Sequence, residues 1–260
     1  MINKPKELWT DRYTDRNSIA NRFIYENCYV SNVRKNKADW RDLNNHCDTF
    51  IVGSDVVWNY EICGAQSHQF FFLDFVNDDK KKIAMASSFG SGYHAPHDEK
   101  ILDKYYINKF DYIGVRETDG VDLCKNCFGV KADQVLDPVF LCDKGYYDQL
   151  ADKVSTESTN RYVSAYILGP DMVKYGLIKE ISKNLECEMK IIENPNIPGN
   201  FKQKIGIEVM RTPSVEEWLY YIKNCEFYVG DSFHGLCFAI IFNKQFLIAV
   251  NSNVDGLQRF

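Results

Sequence analysis

The sequence lacks the features that assign many chains of 260 residues to a class at first sight. No apolar run approaches the roughly 20 residues of a membrane-spanning helix, so we expect no membrane span. Neither GxxxxGKS/T nor GxGxxG occurs, which excludes a P-loop and a dinucleotide-binding fingerprint. The first ten residues also lack the apolar segment of a secretory signal peptide.

An excess of positive charge is absent as well. The chain has 31 Lys and Arg against 36 Asp and Glu, a formal net charge of −5. This balance argues against a nucleic-acid-binding protein that works through a broad basic face. The nine cysteines are odd in number and scattered, which is typical of a reducing cytosol rather than of a disulfide framework. We therefore expect a cytoplasmic protein.

The sequence also lacks a convincing set of metal ligands. Cys124 and Cys127 form the one CxxC pair, and a structural zinc site would need a second pair. His94 and His97 lie close together but have no neighbouring trio of ligands on a regular element. We predict no metal and no cofactor.

Strand-like and helix-like segments alternate along the chain, and each strand ends in small or polar residues. Strands are predicted at residues 49–52, 82–86, 112–115 and 133–136, and then at 162–168, 188–192, 227–229 and 246–250. This alternation is typical of doubly wound parallel sheets. A polar stretch at 152–160 separates the two halves, so we predict two Rossmann-like α/β domains, residues 1–155 and 156–260.

The most informative stretch runs from Tyr228 to Gly235. A buried strand turns there into an apolar run, Leu236 to Phe242, predicted to be a helix. The turn then lies at the carboxyl edge of a sheet, where open α/β sheets bind ligands. Backbone amides at a helix start favour an anion, and His234 can move a proton near neutral pH. We predict an active site for a negatively charged substrate.

Three groups of motifs occur in order over about 210 residues. They are Phe50–Asp55 with Trp58, Asn59, Phe72–Phe75 and Ala86–Gly90; Val115–Glu117 with Val135–Pro138; and Asp231–Gly235 with Phe238, Asn251 and Arg259. Together they resemble the polysaccharide pyruvyl transferase family. The resemblance implies a two-domain, glycosyltransferase-B-like fold and the transfer of pyruvate from phosphoenolpyruvate onto sugar hydroxyls as a ketal. It also implies a place in cell-surface or capsular polysaccharide biosynthesis, with a saccharide or lipid-linked saccharide as acceptor.

The chain departs from the family pattern in three ways. It lacks the opening strand and Asn-Tyr-Gly type turn, and it stops at Phe260, so it is expected to be truncated at both ends. Several family members have Arg-Leu-His where this chain has Ser232, Phe233 and His234. One donor-binding cation must then come from elsewhere.

Ketal formation from phosphoenolpyruvate needs a proton delivered to the enol methylene, and His234 is the candidate general acid. Its alternative is a helix-capping or core histidine. The predicted donor-binding residues are Arg116, Ser232, Gly235 and Arg259. The alternative for Arg116 is a salt bridge to Glu117, Asp119 or Asp122, of which Glu117 is disfavoured because strand neighbours point to opposite faces. Arg259 has a surface position as its alternative.

The predicted acceptor-binding residues lie at two other strand ends: Gly53, Ser54 and Asp55, and then Ser88. Capping of the next element is the alternative for Ser54 and Asp55. Trp58 could stack on a sugar, but packing against the phenylalanines at 70–75 is the safer expectation.

Two rival functions stay open from the residues. One is a nucleotide-sugar glycosyltransferase of the same architecture, and the other is a catalytically silent saccharide-binding partner. The oligomeric state and the acceptor sugar are not indicated by the sequence.

Overall fold

The computed structural model describes residues 19–30, 37–65, 67–90, 92–155, 160–169, 171–192, 209–210 and 213–249. These residues form two compact units. The first unit comprises residues 37–141, and the second comprises residues 142–249 together with residues 19–30.

The secondary structure alternates between strands and helices. In chain order the strands are β1 (Thr49–Val52), β2 (Lys81–Ser87), β3 (Tyr112–Val115), β4 (Asp133–Gln134), β5 (Tyr162–Tyr166), β6 (Glu188–Ile192), β7 (Val209–Met210), β8 (Phe227–Gly230) and β9 (Gln245–Ile248). The helices are α1 (Ile19–Asn27), α2 (Lys37–Arg41), α3 (Tyr60–Cys63), α4 (His68–Phe71), α5 (His97–Ile107), α6 (Thr118–Leu123), α7 (Lys144–Ala151), α8 (Met172–Asn184), α9 (Val215–Lys223) and α10 (Phe233–Ile241). A π-helical turn, Cys124–Phe128, extends α6, and 3₁₀ turns cover Asp42–Asn45 and Pro138–Phe140.

The first unit contains a parallel four-stranded sheet in the order β1-β2-β3-β4. Its aromatic core centres on Trp58, which is fully buried and stacks on Phe72 with ring centroids 5.3 Å apart. The indole Nε1 donates a hydrogen bond to the carbonyl of Phe71 at 2.9 Å. Trp58 is therefore a core residue, which confirms the prediction that it packs against the phenylalanines at 70–75. Truncating such a buried aromatic side chain costs about 3–5 kcal/mol.

The second unit contains a parallel five-stranded sheet in the order β7-β6-β5-β8-β9. The central strand β5 is buried on both faces along most of its length, as expected for a parallel sheet covered by helices. The chain first builds outwards from β5 through β6 to β7, and it then returns to add β8 and β9 on the other side. The topological switch point therefore lies between the carboxyl ends of β5 and β8, where sheets of this kind bind ligands.

The predicted α/β class with two Rossmann-like units is confirmed. One helix start is wrong: α10 begins at Phe233 rather than Leu236. Helix α7 was not predicted, and the polar stretch at 152–160 lies after it, inside the second unit. Among the described residues, no helix is long and apolar enough to cross a membrane.

Candidate active site

Helix α10 begins at the switch point of the second sheet. Ser232 is its N-cap, with extended backbone (φ −98°, ψ 129°), and its Oγ accepts a hydrogen bond from the amide of Gly235 at 3.3 Å. A serine cap stabilises a helix start by about 1 kcal/mol. The cap explains why the helix starts one turn earlier than its apolar run predicts. The positive end of the α10 dipole thus lies at the ligand-binding edge of the sheet.

His234 is the second residue of α10 and is half-buried. Its ring meets the ring of Phe233 edge-on, with centroids 5.3 Å apart. The amide of Gly235, in contrast, is already used by the Ser232 cap. The geometry therefore gives Ser232 and Gly235 a part in building the helix start, and their donor-binding roles stay predictions.

The side chain of Tyr228 explains why positions 230 and 235 are both glycine. Its side chain is fully buried and lies along β8, so that a Cβ on Gly230 would meet the tyrosine Oη at 2.5 Å. A Cβ on Gly235 would meet the same Oη at 1.9 Å. Tyr228 therefore supports the first turn of α10 from below, and only glycine fits above it. Within the described part of the chain, the tyrosine hydroxyl has no hydrogen-bond partner.

Asp231 links the two loops that flank the switch point. Its carboxylate accepts hydrogen bonds from the amides of Leu168 at 2.5 Å and Gly169 at 2.9 Å, which follow β5. It also forms a buried ion pair with Lys174 of α8, with Nζ 2.7 Å from Oδ2. Lys174 in turn donates to the carbonyl of Gly169 at 3.0 Å. The sequence analysis missed both charged residues as parts of the site.

The negative charge of Asp231 affects the pKa values of the tyrosines around it. Burial raises the pKa of Tyr228 well above its ordinary value, and the negative charge of Asp231 raises it further. Burial followed by the same carboxylate also raises the pKa of Tyr166 and of Tyr175. All three phenols therefore stay protonated at neutral pH.

The strand ends of the first unit carry a second polar cluster. Ser88 Oγ donates to Glu117 Oε1 at 2.6 Å, and Ser54 Oγ donates to Asp137 Oδ2 at 2.6 Å. Arg116 contacts the carboxylates of both pairs. Its Nε lies 3.2 Å from Glu117 Oε1, and its Nη1 lies 3.1 Å from Asp137 Oδ2. The four strands β1 to β4 thus each contribute a residue at the sheet edge.

The partners of Arg116 differ from those expected. Glu117 was disfavoured, yet it contacts the guanidinium, because β3 ends at Val115 and the alternation of a strand no longer applies. Asp137 was not considered. Among the described residues, the single guanidinium of Arg116 is shared between two buried carboxylates. The prediction that Arg116 binds the donor anion is not tested by this geometry, but two of its nitrogens are already engaged.

Strained backbone borders this cluster. Asp55 and Ala86 both have positive φ angles, of 78° and 58°. Such conformations cost about 1–3 kcal/mol for residues other than glycine, and they concentrate at functional sites. Ala86 lies where the register of β2 against β3 shifts, just before the fully buried Ser87 and Ser88. The side chain of Asp55 is 64% exposed and lies 3.9 Å from Arg116, so it is the carboxylate of this edge that a ligand can reach.

The remaining residues considered in the sequence analysis are Gly53, Arg259 and the possible metal ligands. Gly53 has open space where a Cβ would lie, and its carbonyl accepts from Ser87 Oγ at 3.2 Å. Arg259 lies outside the described residues. All nine cysteines are free thiols, and no group of three His, Cys, Asp or Glu among the described residues could hold a metal ion.

Comparison with solved structures defines the fold class as glycosyltransferase-B-like. The chain is similar to a UDP-GlcNAc 2-epimerase from Methanocaldococcus jannaschii, with a TM-score of 0.52 and 11% identity over 86% of this chain and 71% of that one. It is also similar to a protein assigned as a UDP-N-acetylglucosamine 2-epimerase from Listeria monocytogenes, with a TM-score of 0.51 and 12% identity over 98% and 65%. At this identity the likeness concerns the fold alone.

The family is shown by the sequence itself. The family model described as polysaccharide pyruvyl transferase matches residues 3–253. The chain therefore belongs to the polysaccharide pyruvyl transferase family, as its motifs indicated. No curated protein gives a significant match.

Proposed function

We propose that the protein transfers pyruvate from phosphoenolpyruvate onto two hydroxyls of a sugar, forming a cyclic ketal during cell-surface polysaccharide biosynthesis. One observation carries this proposal beyond family membership. The Ser232-capped helix α10 starts at the switch point of the second sheet and presents His234 in its first turn. A helix start favours an anion, and a histidine beside it can deliver a proton.

The reaction needs two protons delivered and two removed. A proton is added to the methylene carbon of phosphoenolpyruvate, and the first sugar hydroxyl attacks the neighbouring carbon while losing its own proton. The bond from this carbon to the phosphate oxygen then breaks, and the phosphate leaves with a proton. The second hydroxyl attacks the same carbon and loses its proton, which closes the ketal ring.

His234 is proposed as the general acid for the first proton transfer. Its place in the first turn of α10 would bring the imidazole beside a phosphate and a carboxylate bound at the helix start. A positioned general acid contributes about 10²–10⁴-fold to such a step.

The strand-end cluster of the first unit is proposed to serve the acceptor. Sugar hydroxyls are hydrogen-bond donors, and the exposed carboxylate of Asp55 can accept from them. Gly53, Ser54 and Ser88 stay proposed contacts of this acceptor site. Arg116 orients the carboxylates of the cluster, since it already holds two of them. The acceptor is proposed to be a saccharide or lipid-linked saccharide in the cytoplasm.

The test follows inorganic phosphate when the protein is incubated with phosphoenolpyruvate and candidate β-galactosides. The proposal expects release that depends on both substrates and falls about 10²–10⁴-fold in His234→Gln. His97→Gln, which changes an exposed histidine of the first unit, should retain full release. Full turnover in His234→Gln would show that another group is the acid.

A nucleotide-sugar glycosyltransferase of the same architecture is the second candidate. Two solved structures of similar fold are described as UDP-GlcNAc 2-epimerases. This candidate predicts thermal stabilisation by a uridine or guanosine diphosphate sugar rather than by phosphoenolpyruvate. Saccharide binding without any phosphate release would instead indicate a catalytically silent partner.

A further inference from the structure

A cavity of about 590 Å³ lies in the first unit, away from the strand-end cluster around Arg116. Residues 74–79, which lead from α4 into β2, form one wall. Arg41 of α2 and the last turn of α5 contribute the rest of its described lining. The cavity therefore lies at the amino end of β2, whereas Ser88 follows the carboxyl end of the same strand. Since β2 spans seven residues, about 20 Å separate the two places.

The wall formed by residues 74–79 is fixed by buried polar groups. Asn44 donates a hydrogen bond to the carbonyl of Phe75 at 3.0 Å and accepts one from the amide of Asn77 at 2.8 Å. From β2, Lys82 Nζ donates to the carbonyl of Asn77 at 2.7 Å. Asn44 and Lys82 are both buried. The wall is thus held in place before any ligand arrives, as is usual for small-molecule sites.

Charged groups of both signs line the cavity. Lys109 donates to both carboxylate oxygens of Asp78, at 2.7 and 3.0 Å, and to the hydroxyl of Tyr105 at 2.7 Å. The hydrogen bond with Asp78 raises the pKa of Lys109 and lowers the pKa of Asp78, so the pair is charged at neutral pH. Arg41 and Asp79 also line the cavity, and neither side chain forms a hydrogen bond or an ion pair with a residue that the structure describes.

Asp74 contributes an acceptor that lacks a donor. Its side chain is only 7% exposed, and Lys37 binds one of its carboxylate oxygens, Oδ2. The other oxygen, Oδ1, is buried and has no hydrogen-bond partner among the described residues. Buried acceptors of this kind are unfavourable and are normally satisfied. Because Asp74 lines the cavity, a ligand that donates a hydrogen bond there supplies the partner that this oxygen lacks.

The lining favours an uncharged ligand rich in hydroxyl groups. An anion would meet the three lining carboxylates, and a metal ion would meet an ammonium and a guanidinium, so the described lining suits neither. A hydroxyl both donates and accepts, so a polyol can donate to Asp74 and Asp79 and accept from the guanidinium of Arg41. Tyr105 is 56% exposed and offers ring surface to the apolar face of a sugar.

We propose that this cavity is an accessory binding site for a neutral oligosaccharide, separate from the acceptor site at the strand ends. Arg41 and Asp79 bind sugar hydroxyls directly, and residues 74–79 form the fixed wall. The inference goes beyond the proposed function, because pyruvyl transfer requires one acceptor sugar at the strand ends alone. Only the idea that the bound saccharide is part of the chain that receives pyruvate rests on that function.

Nuclear magnetic resonance titration of the ¹⁵N-labelled full chain tests this inference. The probes are three neutral trisaccharides, namely β-1,4-galactotriose, cellotriose and maltotriose. At least one of them should shift the backbone amides of residues 74–79 and of the end of α5 in a saturable way. Arg41→Met should weaken this binding about tenfold, because hydrogen bonds from a charged donor are lost. Asp79→Ala should weaken it several-fold.

The variants are chosen to leave the fold intact, since neither Arg41 nor Asp79 has a hydrogen bond to a described residue that substitution would break. Lys125→Met removes an exposed cation elsewhere in the first unit and should leave the dissociation constant unchanged. The inference is overturned if none of the trisaccharides shifts these amides, or if Arg41→Met binds as tightly as the wild type. It is also overturned if inorganic phosphate or Mg²⁺ binds at these amides more tightly than the trisaccharides do.

Phosphate release separates this inference from the proposed function. Wild-type protein that binds a trisaccharide at residues 74–79 but releases no phosphate from phosphoenolpyruvate with any saccharide would count against pyruvyl transfer and leave the accessory site standing. Phosphate release without binding at residues 74–79 would do the reverse. With both present, Arg41→Met should leave KM for phosphoenolpyruvate and kcat unchanged, because the cavity is remote from the strand ends.

Discussion

Gly235 is predicted to be intolerant of the smallest possible side chain, although it lies in a helix. A Cβ at this position would be 1.9 Å from the hydroxyl of Tyr228, whereas real Cβ contacts are essentially never shorter than 3.0 Å. The tyrosine or the first turn of α10 must therefore move by about 1.1 Å. The tyrosine side chain is fully buried, so it cannot move out into solvent without exposing the core.

The expected loss of stability in Gly235→Ala follows from two opposing effects. Forcing an extra methyl group into a packed core costs about 1–3 kcal/mol, and an overlap of this size belongs at the upper end. Alanine gains about 1 kcal/mol over glycine in a helix interior. The net destabilisation of Gly235→Ala is therefore about 2 kcal/mol, which corresponds to a fall in Tm of roughly 4–8 °C for a protein of this size.

Thermal unfolding measures this loss against a matched control. Gly176 is an exposed glycine within α8, and a Cβ there would meet nothing within 4 Å. Gly176→Ala should therefore raise stability by about 1 kcal/mol. In a Tyr228→Phe background the nearest atom to a Cβ on Gly235 becomes Cζ at 2.8 Å, so the penalty of Gly235→Ala should shrink. The packing of Tyr228 beneath α10 is refuted if Gly235→Ala is as stabilising as Gly176→Ala.

Three further predictions concern other buried groups. Arg116→Met should destabilise the protein by about 3–5 kcal/mol in chemical denaturation, because it leaves two buried carboxylates without their cation. Arg161→Met breaks an exposed ion pair and should change stability by at most about 1 kcal/mol; equal losses in the two variants would contradict the buried network. Tyr228→Phe should leave Tm unchanged or raise it, since the hydroxyl is buried without a partner among the described residues, and a clear loss of stability would reveal a missed bond. A thiol reagent at pH 8 should modify the exposed Cys127 well before Cys124, because burial raises the pKa of the Cys124 thiol to about 12; peptide mass spectrometry reads the order, and faster modification of Cys124 would contradict its burial.

Local patterns were enough to predict most of the two sheets. Strands such as β1 and β6 were predicted with their observed bounds, because a short apolar run between polar turns is a local signal. The start of α10 was wrong because Ser232 and Phe233 continue the helix beyond its apolar run, and the cap bond to Gly235 fixes that start. Helix α7 was missed because its two tyrosines and scattered polar residues give no clear periodicity.

The partners of the charged residues could not be read from local spacing. Asp231 and Lys174 are 57 positions apart, and their contact depends on β5 and β8 being neighbours across the switch point. Arg116 was instead matched with acidic residues close to it in the chain. A usable signal did exist, because Asp137 directly follows the strand predicted at 133–136, and the carboxyl ends of neighbouring parallel strands meet at one edge.

The cluster around Arg116 in the first unit and the start of α10 in the second unit differ in their local charge. In the part of the chain that the structure describes, Arg116 is surrounded by the buried carboxylates of Glu117 and Asp137 and by the exposed carboxylate of Asp55. For Arg116 to bind a phosphate, its guanidinium would have to leave Glu117 and Asp137 and uncover two buried carboxylates, which costs several kcal/mol.

The first turn of α10 presents a different case, because the carboxylate of Asp231 is paired with Lys174 and the helix start supplies partial positive charge. Since phosphoenolpyruvate carries a phosphate and a carboxylate while a sugar offers hydroxyl donors, we propose the donor site at the start of α10 and the acceptor site at the strand ends of the first unit.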